Sequence, residues 1–133
     1  MKFFITLILC CCFTKGLFAA SVQISKDTLL FQQKIDSADF HLHSDIEKAT
    51  VFYTDALNLA TSSKNEHLKA AVYGRLGTLE RIKSNYPKAL GFQLKSLKIH
   101  EKFFDSLKIA ENFHRIGIVM RYQKEYDESE KYF

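Results

Sequence analysis

Apolar side chains recur every three or four residues along most of the chain beyond the N-terminal segment 1–21, which is the spacing of an amphipathic helix. One such run consists of Val72, Tyr73, Leu76, Leu79 and Ile82. The chain has only one proline and five glycines. Because breakers are so few and turn signals have no regular spacing, the pattern predicts an all-helical protein.

Short polar segments divide this pattern into separate helices. The segment 84–87 combines turn-forming residues with Pro87, which suits a first helical turn, and the segment 62–65 is similar. Asn65 and Asp105 are good N-cap residues. We therefore predict helices over Asp27–His43, Asp45–Thr61, Glu66–Lys83, Pro87–Phe103 and Ser106–Gln123, with a sixth that begins near Asp127.

The chain also repeats itself at a spacing of about 40 residues. A shift by this spacing aligns identical residues at Ala70 and Ala110, Arg75 and Arg115, Gly77 and Gly117, Arg81 and Arg121, and Tyr86 and Tyr126. It also aligns Ala49 with Ala89 and Leu57 with Leu97. The first helix fits this alignment only in part: Ser37 is a small residue opposite Gly77, but Asp36 stands opposite the apolar Leu76.

The run 73–77, followed by 85–90 and Ser96-Leu97, resembles a tetratricopeptide (TPR) repeat of a long-period type. The resemblance covers roughly the range 27–133. It implies antiparallel helix pairs that stack as an α-solenoid of about two and a half repeats. The packing positions that it implies are Leu76, Gly77, Tyr86, Ala89, Ile116, Gly117, Tyr126 and Ser129.

Glycine inside a helix is unfavourable by ~1 kcal/mol relative to alanine. At Gly77 and Gly117 we therefore expect a structural reason for it, namely the close approach of a facing helix.

The resemblance further implies a concave surface formed by the first helix of each pair, which in this family often binds a peptide. The groove residues that we predict are Arg75, Thr78, Arg81, His114, Arg115, Ile118, Arg121 and Tyr122. Four arginines that recur at the repeat spacing would form a ladder for an acidic or C-terminal peptide, since guanidinium groups bind carboxylates bidentately. The alternative is that these arginines are solvated charges that pair with Glu80, Glu111 or a neighbouring acid.

The segment 1–21 has the composition of a secretory signal peptide. Lys2 precedes the apolar run 3–13, and small residues follow at Ala20 and Ser21, where we expect cleavage. The chain would then consist of a signal peptide, 1–21, and a repeat domain, 22–133, exported to the periplasm or cell envelope. Two alternatives stay open: a retained membrane anchor, for which the apolar run is shorter than the ~20 residues required, and a lipid on one of Cys10, Cys11 and Cys12.

Removal of this segment changes the chemistry of the remaining chain. All three cysteines lie within it, so the range 22–133 contains no thiol. Lys2 and Lys15 also leave, which reduces 19 basic residues to 17 against 15 acidic ones. The remaining sequence does not resemble the concentrated basic patch of a nucleic-acid-binding domain, so we predict no nucleic-acid binding by this segment.

The five histidines do not have the spacing of a metal site. His41 and His43 are two residues apart and point in different directions on a helix. His100-Glu101 begins like a zinc-protease motif, but Phe104 stands where the second histidine belongs. Neither a phosphate loop nor a nucleophile motif is evident. We therefore predict no catalysis, no metal and no cofactor.

The sequence predicts a binding scaffold for a protein or peptide partner. If the arginine ladder binds that partner, the partner is acidic. The alternative is the extracytoplasmic sensory segment of a membrane-bound regulator, a histidine kinase or a DNA-binding response protein, with its output domain and a membrane anchor beyond residue 133. A third hypothesis is an enzyme whose catalytic domain follows the repeats. Because the chain ends on Tyr132-Phe133 without a polar cap, we expect it to be a fragment. The partner's identity and the oligomeric state stay open.

Overall fold

The computed structural model describes residues 26–124, 131 and 132, and all regular structure within them is helical. Helix α1 covers residues 26–41, and it is followed by α2 (Ile46–Ser62), α3 (Glu66–Ile82), α4 (Tyr86–Lys102) and α5 (Ser106–Tyr122). The prediction of an all-helical chain is confirmed for this part, with helix ends within two residues of those predicted. The signal segment and the start of the sixth helix lie outside the described residues.

Helices α2 to α5 repeat with unusual regularity. Each has 17 residues, and their first residues, Ile46, Glu66, Tyr86 and Ser106, are equally spaced along the chain. After α2, Lys64 takes the left-handed conformation (φ 54°), and Ser84, Phe104 and Lys124 do the same after the next three helices. The amide of Asn65 donates to the Ala60 carbonyl (3.1 Å), and equivalent bonds close the next two loops. These are Schellman motifs, which satisfy the last carbonyls of each helix.

The helix starts are also capped by side chains. Asp45, Asn65 and Asp105 each accept a hydrogen bond from the backbone amide three residues later. This confirms the N-cap roles predicted for Asn65 and Asp105. Asn85 differs, because its side-chain amide donates to Glu80 instead (Nδ2–Oε2 3.1 Å), and α4 begins with Pro87 in its first turn.

Each helix packs against the next one, and α3 also contacts α5. A cluster of buried apolar side chains from α1, α2 and α3 forms a contiguous core. Of the predicted packing residues, Leu76, Gly77, Ala89, Ile116 and Gly117 are buried, Tyr86 is half-buried, and Tyr126 and Ser129 lie outside the described residues.

Gly77 has the structural reason expected of it. A Cβ atom at this position would collide with Nε2 of Gln93 and lie 2.8 Å from its Cδ, so the buried α4 side chain fits only because α3 has no side chain there. The same Nε2 donates to the carbonyl of Gly74 (3.0 Å). Glycine therefore permits a hydrogen-bonded contact between α3 and α4.

The predicted alignment of α1 with α3 is wrong by one position. The buried residues of α1 are Phe31, Ile35 and Ala38, whereas Asp36 is exposed. They match the buried residues Val72, Leu76 and Leu79 of α3, in that order. Each of these pairs is one residue farther apart in the sequence than the repeat spacing. The reason is local: four residues separate α1 from α2, whereas three separate each later pair of helices, and none of those four has a positive φ.

Candidate functional site

Two neighbouring cavities lie between α3 and α5, and buried side chains of α4 form part of each. We call them the Gln93 cavity (about 240 Å³) and the His100 cavity (about 230 Å³) after the α4 residue that each contains. The Gln93 cavity is also lined by Gly77, Thr78, Arg81, His114, Arg115, Ile118 and Val119. Polar residues of the His100 cavity are His67, Arg75, Ser96, Asp105, Lys108, Glu111, Asn112 and Arg115.

The structure brings most of the predicted groove residues together. Five of the eight line the Gln93 cavity: Thr78, Arg81, His114, Arg115 and Ile118. Arg75 lines the His100 cavity, which it shares with Arg115. The other two, Arg121 and Tyr122, are exposed at the end of α5 and line neither cavity.

Tyr122 nevertheless contacts two residues from the end of α3 and the start of α4. Its ring stacks on Tyr86 with centroids 5.8 Å apart, and the Arg81 guanidinium lies 5.5 Å from its centroid. An arginine over an aromatic face is a favourable cation–π contact. Tyr122 therefore positions Arg81 at the end of the Gln93 cavity.

The predicted arginines do not share one environment, because Arg75 is held by α1. Its Nη1 lies 2.9 Å from Oδ2 of Asp39. The other oxygen of Asp39 accepts a hydrogen bond from the Tyr53 hydroxyl of α2. Burial, followed by this hydrogen bond to Asp39, raises the pKa of Tyr53 well above its usual value. One carboxylate thus joins α1, α2 and α3 and fixes the guanidinium of Arg75.

Arg115 lies between the two cavities, across the backbone of α3. A Cβ atom at Gly74 would come within 2.7 Å of its Nη1. Its Nη2 lies 3.7 Å from Oε2 of Glu111, an oxygen that is 3.1 Å from the ammonium of Lys108. Gly74 therefore makes room for a guanidinium that both cavities share.

Two of the four predicted arginines pair with acids, as the alternative interpretation expects, since Arg75 already pairs with Asp39. Glu111 does pair with Arg115, at the long distance given above. Glu80 is almost fully buried and instead pairs with lysines, at 3.4 Å from Lys88 and 3.9 Å from Lys83. Its contacts stabilise the loop between α3 and α4 rather than the arginines.

Sequence reasoning missed three buried polar residues at the base of these cavities. Gln93 and Asn112 are 1% exposed and His100 is 6% exposed. Gln93 Oε1, His100 Nδ1 and Asn112 Oδ1 lack a hydrogen-bond partner among the described residues. Burial lowers the pKa of His100, so its ring is neutral near pH 7. A signal did exist, because the matched positions one repeat earlier carry Tyr53, Ala60 and Val72.

Neither a metal cluster nor a membrane span is present in the described part of the chain. Within residues 26–124, 131 and 132, no three His, Cys, Asp or Glu side chains form a group that could hold a metal ion. No helix in these same ranges is both long and apolar enough to cross a membrane.

Comparison of the chain with protein-family models, with curated proteins and with solved structures found no significant match.

Proposed function

We propose that this chain is a scaffold of tetratricopeptide type that binds a protein or peptide partner along α3 and α5. The observation that carries the proposal is the convergence of five predicted groove residues on the Gln93 cavity. The even spacing of helices and loops supports the repeat assignment, as does the contact of α3 with α5. Stacking of the helix pairs as an α-solenoid is part of this proposal.

The chemistry of the Gln93 cavity suits an acidic peptide. Arg81 and Arg115 provide guanidinium groups that bind carboxylates. The unpaired Oε1 of Gln93 accepts a hydrogen bond, which a peptide N–H group would donate. Ile118 adds an apolar wall for a side chain. The cavity thus combines charge, backbone recognition and an apolar contact.

This segment has a binding role and no catalytic role in our proposal. We further propose that binding occurs outside the cytoplasm, in the periplasm or cell envelope. The support for this location is the signal-type composition of the segment 1–21.

A peptide array tests the proposal. The full chain is labelled and applied to short peptides that vary in acidic content, each made with a free and with an amidated C-terminus. We expect acidic peptides to be captured, and Arg81→Ala combined with Arg115→Ala to weaken their binding at least about tenfold, because two charge-assisted contacts are lost. The salt dependence of binding should decrease in the same variant.

The matched control is Lys95→Ala combined with Lys98→Ala, which removes the same charge from exposed positions of α4. Circular dichroism of both variants checks that helicity is retained. Equal binding by the arginine variant and the wild-type chain would remove the Gln93 cavity as the peptide site. An equal loss of peptide affinity in the lysine variant would mean that net charge, not the Gln93 cavity, accounts for the effect.

A further inference from the structure

Three buried polar residues of the His100 cavity occupy positions that are apolar one repeat earlier. Ser96, His100 and Asn112 all line this cavity. The matched positions one repeat earlier carry apolar residues that are fully buried among α1, α2 and α3: Ala56, Ala60 and Val72. Packing alone is therefore satisfied by apolar side chains at these places. Ser96 donates to the Ala70 carbonyl, so His100 and Asn112 are the replacements that need a different reason.

Two of these side chains are buried and incompletely satisfied. His100 is 6% exposed and its Nδ1 has no partner among the described residues, while Asn112 is 1% exposed and its Oδ1 has none. The other end of the Asn112 amide is used, because Nδ2 donates to the Lys108 carbonyl (2.8 Å). Buried polar atoms in native proteins nearly always have a partner, so these two indicate a bound donor.

The charges around the cavity are of both signs. Arg75, Lys108 and Arg115 provide positive charge, and Asp105 and Glu111 provide negative charge. Because burial lowers the pKa of His100, the ring is neutral and accepts at Nδ1 when its proton is on Nε2. The unpaired acceptors of His100 and Asn112, together with the cations of Arg115 and Lys108, match a molecule that has both an ammonium group and a carboxylate.

We propose that the His100 cavity binds a free α-amino acid. The ammonium group donates to His100 Nδ1 and Asn112 Oδ1, and the carboxylate lies against Arg115 and Lys108. A cavity of about 230 Å³ has room for roughly seven water molecules, which is the size of a small or medium amino acid. This site is distinct from the proposed peptide groove, although Arg115 lines both cavities.

Isothermal titration calorimetry of the full chain tests the proposal. The probes are the common protein amino acids, each titrated separately, with propionate and ethylamine as probes that lack the ammonium group and the carboxylate respectively. We expect saturable binding of at least one amino acid and none of propionate or ethylamine. If no amino acid binds, or if propionate binds as tightly, the cavity holds water or a simple anion and the proposal is overturned.

The decisive variant is His100→Ala combined with Asn112→Val, which installs the residues found at the matched positions of the preceding repeat. Affinity for the amino acid should fall at least about tenfold. The urea midpoint should stay equal or increase, because two unsatisfied buried groups are removed. The matched control is His43→Ala combined with Asn58→Val, the same substitutions at exposed positions. Unchanged affinity in the His100–Asn112 variant overturns the proposal.

Two further variants separate this site from folding and from the peptide groove. Lys108→Gln changes an exposed side chain, so it provides a test if the double variant does not fold, and we expect weaker amino-acid binding with intact helicity. Arg81→Ala lies in the Gln93 cavity only. Arg81→Ala should weaken peptide capture and leave amino-acid binding unchanged. An equal loss of affinity for both ligands would contradict two distinct sites.

Discussion

The α1–α2–α3 interface and the α3–α4–α5 interface are built on matched positions, yet their interiors differ in chemistry. Tyr53, Ala56 and Ala60 of α2 are fully buried within an apolar cluster. Their counterparts on α4 are Gln93, Ser96 and His100, which are also buried but polar. The interior of the first interface is filled by apolar side chains, whereas buried polar side chains line the two cavities of the second.

The two interfaces share some features and differ in others, so the fold requires only the shared ones. Both interfaces keep a small residue at the start of the second helix, Ala49 in one and Ala89 in the other, each fully buried. Beyond that, polar side chains replace apolar ones where a backbone carbonyl accepts their hydrogen bond: Gln93 donates to Gly74 and Ser96 donates to Ala70 (2.8 Å). We infer that the first interface supplies most of the stability and the second supplies recognition.

The largest difference in stability should be between two single truncations at matched positions, Tyr53→Ala in the first interface and Gln93→Ala in the second. Tyr53→Ala removes a fully buried aromatic ring and its hydrogen bond to Asp39, so we expect a loss of about 3 to 5 kcal/mol. Gln93→Ala at the matched position should cost only about 1 to 2 kcal/mol. Urea denaturation followed by circular dichroism measures both. Equal losses would contradict the division of roles between the interfaces.

The second effect concerns the tight contact between α3 and α4. Gly77→Ala places a methyl group against Gln93 and displaces its hydrogen bond to Gly74. We expect a net destabilisation of about 1 to 2 kcal/mol, since the lost contact outweighs the higher helix propensity of alanine. Gly91→Ala is the control, because a Cβ there meets no atom within 4 Å, and it should stabilise by about 1 kcal/mol. Stabilisation by both variants would show that Gln93 adapts freely.

The third effect is a difference in stability between glycine substitutions in the α4–α5 loop and in the α1–α2 loop. Phe104 is 88% exposed and left-handed (φ 55°) in the α4–α5 loop. Phe104→Gly should stabilise by about 1 kcal/mol, because glycine takes this conformation without strain. In the α1–α2 loop His43 does not have a positive φ, so His43→Gly should destabilise slightly. Thermal unfolding measures both changes, and a lower midpoint for Phe104→Gly would mean that its ring has an important contact.

The smallest effect should be a pH dependence of stability at the second interface. The pKa of His100 is lowered from 6.5, mainly by burial, so the unfolded chain takes up the proton at a higher pH than the folded one. Stability should therefore decrease as the pH falls below about 6.5. Asp105 and Glu111 oppose the shift, whereas Lys108 and His67 increase it.

Urea midpoints at about pH 7.5 and about pH 5.5 measure this dependence for the wild-type chain and for His100→Ala. We expect the variant to be less sensitive to acid. If the two chains lose the same stability between these pH values, His100 does not account for the acid sensitivity.

Helix positions could be predicted because local chemistry determines them. Asn65 and Asp105 cap helices through short-range hydrogen bonds, and such signals are present in the sequence. The position of α1 relative to α3 could not be predicted to the residue, since one extra loop residue shifts every buried side chain. The burial of Gln93 and Asn112 was missed because polar residues on a helix normally face solvent, although the matched positions carry Tyr53 and Val72.

Five of the eight groove residues did converge on one cavity, since the helical spacing alone places Thr78 beside Arg81 and His114 beside Ile118. The contact of Asp39 with Arg75 could not be predicted in the same way. It depends on which helices become neighbours in space, and the sequence pattern of a single helix does not contain that information.

The uniform length of the helix-and-loop unit has a consequence for how such a chain can change over evolution. The helices α2 to α5 begin at equal intervals and end in the same loop geometry. In the α-solenoid that we propose, a duplicated or exchanged pair of helices would therefore join its neighbours without readjusting them. Ligand preference could then be altered by a few side chains while the backbone stays constant. A lineage with this architecture can acquire new specificities by recombination of whole units, at little risk to folding.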